Sequence, residues 1–229
     1  MRSGRLIEEN APQRVLFAGA EKKRLLNIFI YCMNEQNLKI LQKSGCKALF
    51  IGFESLSPQL KTIGKPQNNP ARYGEVIRKL HDHGIIAYAA FIFGFDFDDP
   101  SVFERTVEFA IANKVILTQF AILTPYPGTR LYTRLQAEGR LLQDKWGLVP
   151  NQEILAPHFR PQLMEPEQLR EGWKWAWREF YSFSSIWKRK DLWPALLPYL
   201  AYLPFNLRQR HFARHKICAE NTRPRSWRV

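Results

Sequence analysis

Cysteine is scarce in this chain: Cys32, Cys46 and Cys218 are the only three in 229 residues. Their number and scatter exclude a disulfide framework and any recognisable metal-ligand spacing, and a reducing, cytoplasmic setting is expected. Long apolar runs are missing too. No stretch of about 18 apolar residues is present to span a bilayer, and the first residues, MRSGRLIEEN, lack the apolar core of a signal peptide. Acid thins out along the chain: residues 1–157 hold 20 basic and 15 acidic groups, residues 158–229 hold 14 and 6, so most of the net charge of +13 lies beyond residue 157. A basic end of this kind fits anionic lipid, nucleic acid or a plain solvated face.

Apolar periodicity carries the fold class. Residues 1–24 are charged, weakly patterned and expected to be poorly ordered. Asn27 to Met33 (NIFIYCM) reads as a strand, followed by a short helix capped by Asn34 and stopped by Gly45. A second unit opens at Ala48; its helix has Asn69 as cap, Pro70 in the first turn, an inner face of Tyr73, Val76, Ile77 and Leu80, and Gly84 as stop. Ile85 to Phe93 is a third strand, with Asp99 and Pro100 opening the helix that buries Phe103, Val107, Ala110 and Ile111. Gln119 to Leu123 is a fourth, followed by a helix with Leu131 and Leu135 inward and Gly139 at its end. About four βα units in succession imply an α/β fold, a partial (β/α) barrel of parallel strands over residues 25–146.

Beyond Trp146 the texture changes. Residues 147–165, punctuated by Pro150, Pro157 and Pro161, read as a connecting segment, and Pro166 opens a helix whose stripe is Leu169, Trp173, Ala176, Trp177 and Phe180. The Trp-rich helical region runs over 166–205, where Pro194, Pro198 and Pro204 are expected to prevent one continuous helix. Residues 206–229 read as a mobile basic tail. Aromatic sequence between basic clusters over 186–216 suits peripheral membrane contact or docking on the fold. His81 and His83, two apart on a helix, point to different faces and read as surface residues, and Cys46 reads as a small buried apolar residue. Asp99 reads as a cap and not as part of a metal site with Asp96 and Asp98.

The stretch from Leu49 to Asn68, LFIGFESLSPQLKTIGKPQN, is the most informative. A buried strand ends in Glu54 and Ser55, the end at which parallel α/β folds bind ligands, although Ser55 and Ser57 could equally make a turn. Cys32 and Asn34, Gly94 and Asp96, Thr124 and Tyr126 stand at the other strand ends, converging on one rim.

The words FIGFESL, LKTIGKPQN, FIFGFD, LTPYPGTRLY and AEGRL, in this order from about Leu38 to Phe183, resemble the radical SAM enzymes, and more narrowly the C-terminal half of the bacterial members that carry a cobalamin-binding domain and a C-terminal helical region. The resemblance implies S-adenosylmethionine cleaved reductively on a four-iron four-sulfur cluster. It assigns Glu54 and Ser55 to the ribose and methionyl portions, Lys65 to the cofactor carboxylate, Ile92 and Gly94 to adenine, and Thr124 and Tyr126 to the side of the base.

The Cys-x-x-x-Cys-x-x-Cys loop of that family is absent from the 229 residues, and so are its first two strands and its cobalamin domain. The chain is accordingly expected to be a truncated or split radical SAM protein of methyltransferase-like type, without catalytic residues or metal ligands of its own and inactive alone. Half a barrel leaves an open strand edge, so a second polypeptide carrying the cluster loop is the expected partner. The alternative is a non-catalytic binding protein whose basic aromatic end meets a membrane surface; nucleic acid is the less expected target.

Overall fold

The computed structural model describes residues 32, 34–63, 68–143, 156–190 and 196–217. Helix α1 (Glu35–Lys43) leads into β1 (Ala48–Glu54), a 3-10 stretch (Pro58–Ile63), a 3-10 turn (Pro70–Arg72) and α2 (Tyr73–Asp82). There follow β2 (Ile86–Phe93), α3 (Val102–Ala112), β3 (Leu117–Ile122) and α4 (Arg130–Ala137). The C-terminal part comprises α5 (Pro166–Phe180), α6 (Phe183–Lys188), α7 (Leu196–Phe212) and a π turn (Ala213–Ile217).

Local chemistry explains the boundaries. Asn34 caps α1 by accepting from Gln36 N, Asn69 caps its turn by accepting from Ala71 N, and Thr129 caps α4 by accepting from Tyr132 N. Gly45, Gly84 and Gly139 each end a helix with φ between 65° and 79°. Asp99 accepts from the backbone N–H of Ser101 and so shapes the turn before α3, whose N-cap is Ser101 itself.

The three strands form one parallel sheet in the order β1-β2-β3. Of the strand read over residues 27–33, only Cys32 is described; it is helical and fully buried. The reading of residues 1–24, Lys65, Trp146 and residues 147–155 of the connecting segment fall outside the described residues. One face of the sheet is core: Ile51 and Phe53, Phe91 and Phe93, Phe120 and Ile122 are buried beneath α2, α3 and α5. Phe53, Phe91, Phe120 and Phe93 stack in turn, with ring centroids 5.6–6.1 Å apart. The other face, bearing Phe50, Tyr88, Ala90, Gln119 and Ala121, stays half-exposed or exposed.

Helix α5 closes the outer edge of β3 with side chains. Trp173 and Trp177 both donate to Phe120 O (2.9 and 3.1 Å), and the Tyr181 hydroxyl donates to Thr118 O and accepts from Thr118 N. Residues 118 and 120 are two apart, so their backbone groups face the same edge. The apolar stripe of α5 therefore fills the core while its polar tips pair a strand edge that has no neighbouring strand among the described residues.

The C-terminal region is not one continuous helix, since α6 ends at Lys188 and α7 starts at Leu196, and Pro194 lies outside the described residues; the part given to Pro204 and the start of the tail are corrected. Helix α7 runs through Pro204, and Pro198 sits in its first turn, where backbone N–H groups have no partner within the helix. Asn206 is not the start of a mobile tail: it is fully buried and accepts from Arg189, with Ala213 and Ile217 buried after it. This packing outweighs the roughly 3 kcal/mol that an internal proline costs a helix. Residues 218–229 lie outside the described ones.

Candidate functional site

Glu54 is the best-defined feature of the rim. Strand β1 carries a bulge at its end: Gly52 stands opposite Ala90 and Glu54 opposite Phe91, leaving Phe53 as the extra residue. Phe53 stays in the core, against Tyr73 at 4.5 Å between centroids. Glu54 then adopts φ 68°, a left-handed conformation that non-glycine residues take only at a cost of about 1–2 kcal/mol. The neighbouring backbone is held in place: Asn68 Nδ2 donates to Gly52 O and Phe53 O, and the Tyr73 hydroxyl donates to Phe53 O at 2.6 Å. Burial pushes the Tyr73 phenol well up, and the nearby Glu54 carboxylate adds to the rise.

By alternation along β1, Glu54 lies on the same face as Phe50 and Gly52, the open face of the sheet. Its Oε1 lies 3.0 Å from the point a Cβ on Gly52 would occupy, so glycine at 52 leaves room for the carboxylate. Ser55 is buried, and its Oγ accepts from Ser57 N, so the turn role and any ligand role meet in one hydroxyl. Ile92 is half-buried near the end of β2.

Gly94 is explained by packing. Its φ is 103°, and a side chain there would meet Leu169 Cδ2 at 3.0 Å and Phe159 Cζ at 3.3 Å. The C-terminal region thus occupies the space that the glycine leaves. Thr124, just past β3, donates to Ile122 O, and Tyr126 is 55% exposed in the following turn. Parallel topology puts Glu54, Ile92, Gly94, Thr124 and Tyr126 at the same edge of the sheet; Lys65 lies outside the described residues.

Aspartates beside this edge have structural partners. Asp96 pairs with Arg134 at 2.7 Å and Arg140 at 2.8 Å, and Asp98 Oδ2 accepts from both Gly94 N and Phe95 N. No group of three potential metal-binding side chains occurs among the described residues. Burial raises the Asp98 carboxyl to about 6 against the two N–H bonds that pull it down. His81, read as a surface residue, has its Nε2 buried without a hydrogen-bond partner among the described residues, and burial lowers it to about 4. His83 is also tied in, between Lys79 O and Glu35 Oε1.

These shifts oppose each other. The raised Asp98 contributes stability that is complete below its unfolded value near 3.8 and lost as pH rises through about 6. The lowered His81 contributes stability present above 6.5 and lost as pH falls through about 4. Asp98→Asn keeps one oxygen for both amides and removes the first slope, so between pH 4 and 6.5 the variant is expected to gain stability with rising pH more steeply than the parent. Urea titrations across that window check this; parallel curves for the two proteins would contradict it.

A parallel sheet flanked by helices, with an acid, a hydroxyl and a strained turn at its carboxyl edge, belongs to the class of partial barrel-like α/β folds. Comparison with known proteins narrows the class. Residues 129–193 match a domain of unknown function, DUF4070. The chain is 35% identical over 148 residues to a bacteriochlorophyllide d C-12(1)-methyltransferase of Chlorobaculum tepidum, covering 64% of this chain and 31% of that protein. It is 31% identical over 149 residues to an uncharacterized methyltransferase of Pyrococcus horikoshii, 65% of this chain and 32% of that one. With the hopanoid C-2 methylase of Rhodopseudomonas palustris it shares 28% over 155 residues, 67% and 28%. The chain thus spans about a third of the length of these relatives, and its likeness to them supports a C-terminal part of a radical SAM protein.

The bulge, the conformation of Glu54 and the edge pairing by α5 had no sequence signal beyond Gly52 and the Trp spacing. Residues present fit part of a SAM site, since a carboxylate over an open, largely apolar face can accept from hydroxyl or ammonium donors. They do not fit an iron–sulfur cluster. Burial, and then the neighbouring Cys46, push the Cys32 thiol up to about 12, whereas cluster ligands are thiolates.

Proposed function

We propose that this chain supplies one side of the S-adenosylmethionine site of a cobalamin-type radical SAM methyltransferase. The observation that carries the reading is Glu54, held in a left-handed conformation just past the β1 bulge and set over Gly52 on the open face. Its carboxylate accepts from the ribose hydroxyls or the ammonium group, with Ser55 beside it; Ile92 meets the adenine, Gly94 keeps the turn next to it tight, and Thr124 and Tyr126 flank the base. Lys65, by its place in the motif, pairs with the cofactor carboxylate. Cluster and cobalamin are held by polypeptide other than these 229 residues. The open face, lined by Phe50, Tyr88, Ala90 and Ala121, suits a large apolar methyl acceptor, as the bacteriochlorophyllide and hopanoid in the relatives' names also suggest.

The chain alone is expected to retain no iron after anaerobic reconstitution and to form no deoxyadenosine. Mixed with a polypeptide that carries a Cys-x-x-x-Cys-x-x-Cys loop and the preceding strands of a relative, it is expected to complete a SAM site, in which Glu54→Gln weakens binding by about tenfold or more. Stoichiometric iron and turnover in the isolated chain would sink the first statement. Unchanged SAM affinity in the Glu54→Gln complex would remove Glu54 from the site.

A further inference from the structure

The C-terminal helices present an apolar patch that no described residue covers. Phe183 and Trp187, one turn apart on α6, are 61% and 69% exposed, and Leu203 and Leu207, one turn apart on α7, are 50% and 37% exposed. The two pairs belong to one surface. Arg210 follows Leu203 and Leu207 at helical spacing, and its guanidinium lies 3.9 Å from the Phe183 ring centroid. The adjoining side of α7 is fixed to the fold, through Tyr202 to Ile186 O and through buried Asn206.

Cations surround the patch. Lys190 Nζ sits 3.2 Å from the Trp187 ring centroid, Lys188 is exposed beside it, and Lys114 donates to Lys188 O. Between Tyr181 and Ala219 six lysines and arginines besides the buried Arg189 stand against one acid, Asp191. No helix among the described residues is long and apolar enough to cross a membrane. Aromatic and leucine side chains set among snorkelling cations match the interface of an anionic bilayer, where rings enter the headgroup boundary and the cations meet lipid phosphates.

We infer that the α6–α7 surface centred on Phe183, Trp187, Leu203 and Leu207 binds peripherally to anionic phospholipid membranes. The inference does not depend on the cofactor reading, since none of these residues lies at the strand ends. It is tested by flotation of the full chain with phosphatidylcholine vesicles, with and without phosphatidylglycerol, at about 50 and 500 mM NaCl. Binding is expected only with the anionic lipid, weakened by salt, and at least about tenfold weaker in a Phe183→Ser, Trp187→Ser double variant whose melting temperature is unchanged. Lys188→Glu with Lys190→Glu, which leaves the apolar side chains in place, is expected to weaken it as well. Equal binding to neutral vesicles, or full binding by the double variant, would overturn the proposal. So would salt-sensitive binding to single-stranded nucleic acid, or self-association relieved by the double variant, if either occurred with no vesicle binding.

Discussion

Arg189→Ala is expected to be the most damaging single substitution in the C-terminal region, lowering stability by about 3–5 kcal/mol, enough to leave much of the chain unfolded. Arg189 is 1% exposed, and every nitrogen of its guanidinium is used. Nη1 donates to Val115 O at 2.8 Å and Ile116 O at 3.0 Å, Nη2 to Phe180 O and Asn206 Oδ1, and Nε to Ser185 O and Oγ. The plane also lies 3.7 Å from the Phe180 ring centroid. All these acceptors are neutral, so the charge is stabilised by oriented carbonyls and by the ring. Burial lowers the guanidinium to about 10 without a carboxylate to compensate. One side chain thus joins the start of β3, the end of α5, and α7. Alanine leaves several buried carbonyls without donors, and lysine, with three donors on a flexible stem, is not expected to rescue. Urea unfolding of Arg189→Ala and Arg189→Lys, with Lys188→Ala as the exposed neighbour, checks this; a loss no larger than that of Lys188→Ala would contradict the structure.

Arg189 also marks how far the sequence could be read. In a run Lys-Arg-Lys it looks like one of three solvated cations, and only its fold-wide partners distinguish it. Periodicity located α2, β2 and α5 to within a residue or two, because Tyr73, Val76, Ile77 and Leu80, and Leu169, Trp173, Ala176, Trp177 and Phe180, are buried as their spacing demands. The stripe on α5 was legible as apolar bulk. That its indole N–H groups and Tyr181 pair the edge of β3 was not, because hydrogen-bond partners 53 to 63 residues away leave no local pattern. Pro204 misled for the opposite reason: its local penalty is real but is outweighed by tertiary packing. At the strand ends, residue types pointed to a rim, while the bulge at Phe53 and the left-handed Glu54 beside it are held by Asn68 and Tyr73, contacts between separate segments.

Gly172→Ala carries the second large expected effect, and it bears on the rim as well as on stability. Helix propensity alone would make this change favourable by about 1 kcal/mol. The structure predicts the reverse, since a Cβ on Gly172 would lie 2.1–2.4 Å from three ring atoms of Phe103, itself a buried residue packed on Phe93 at 4.9 Å between centroids. Neither ring can step aside without disturbing the end of β2, so overpacking is expected to cost about 1–3 kcal/mol or more. The glycine is what lets α5 cross α3 so closely. Leu169, three residues earlier on α5, reaches Gly94, and pushing the helix outward withdraws it from that turn. Phe103→Leu trims the obstructing ring, so the double variant is expected to lose less than the sum of the two single losses, a coupling readable from a double-mutant cycle by urea unfolding. Additive losses, or a Gly172→Ala protein at least as stable as the parent, would mean that α3 and α5 do not meet at this glycine.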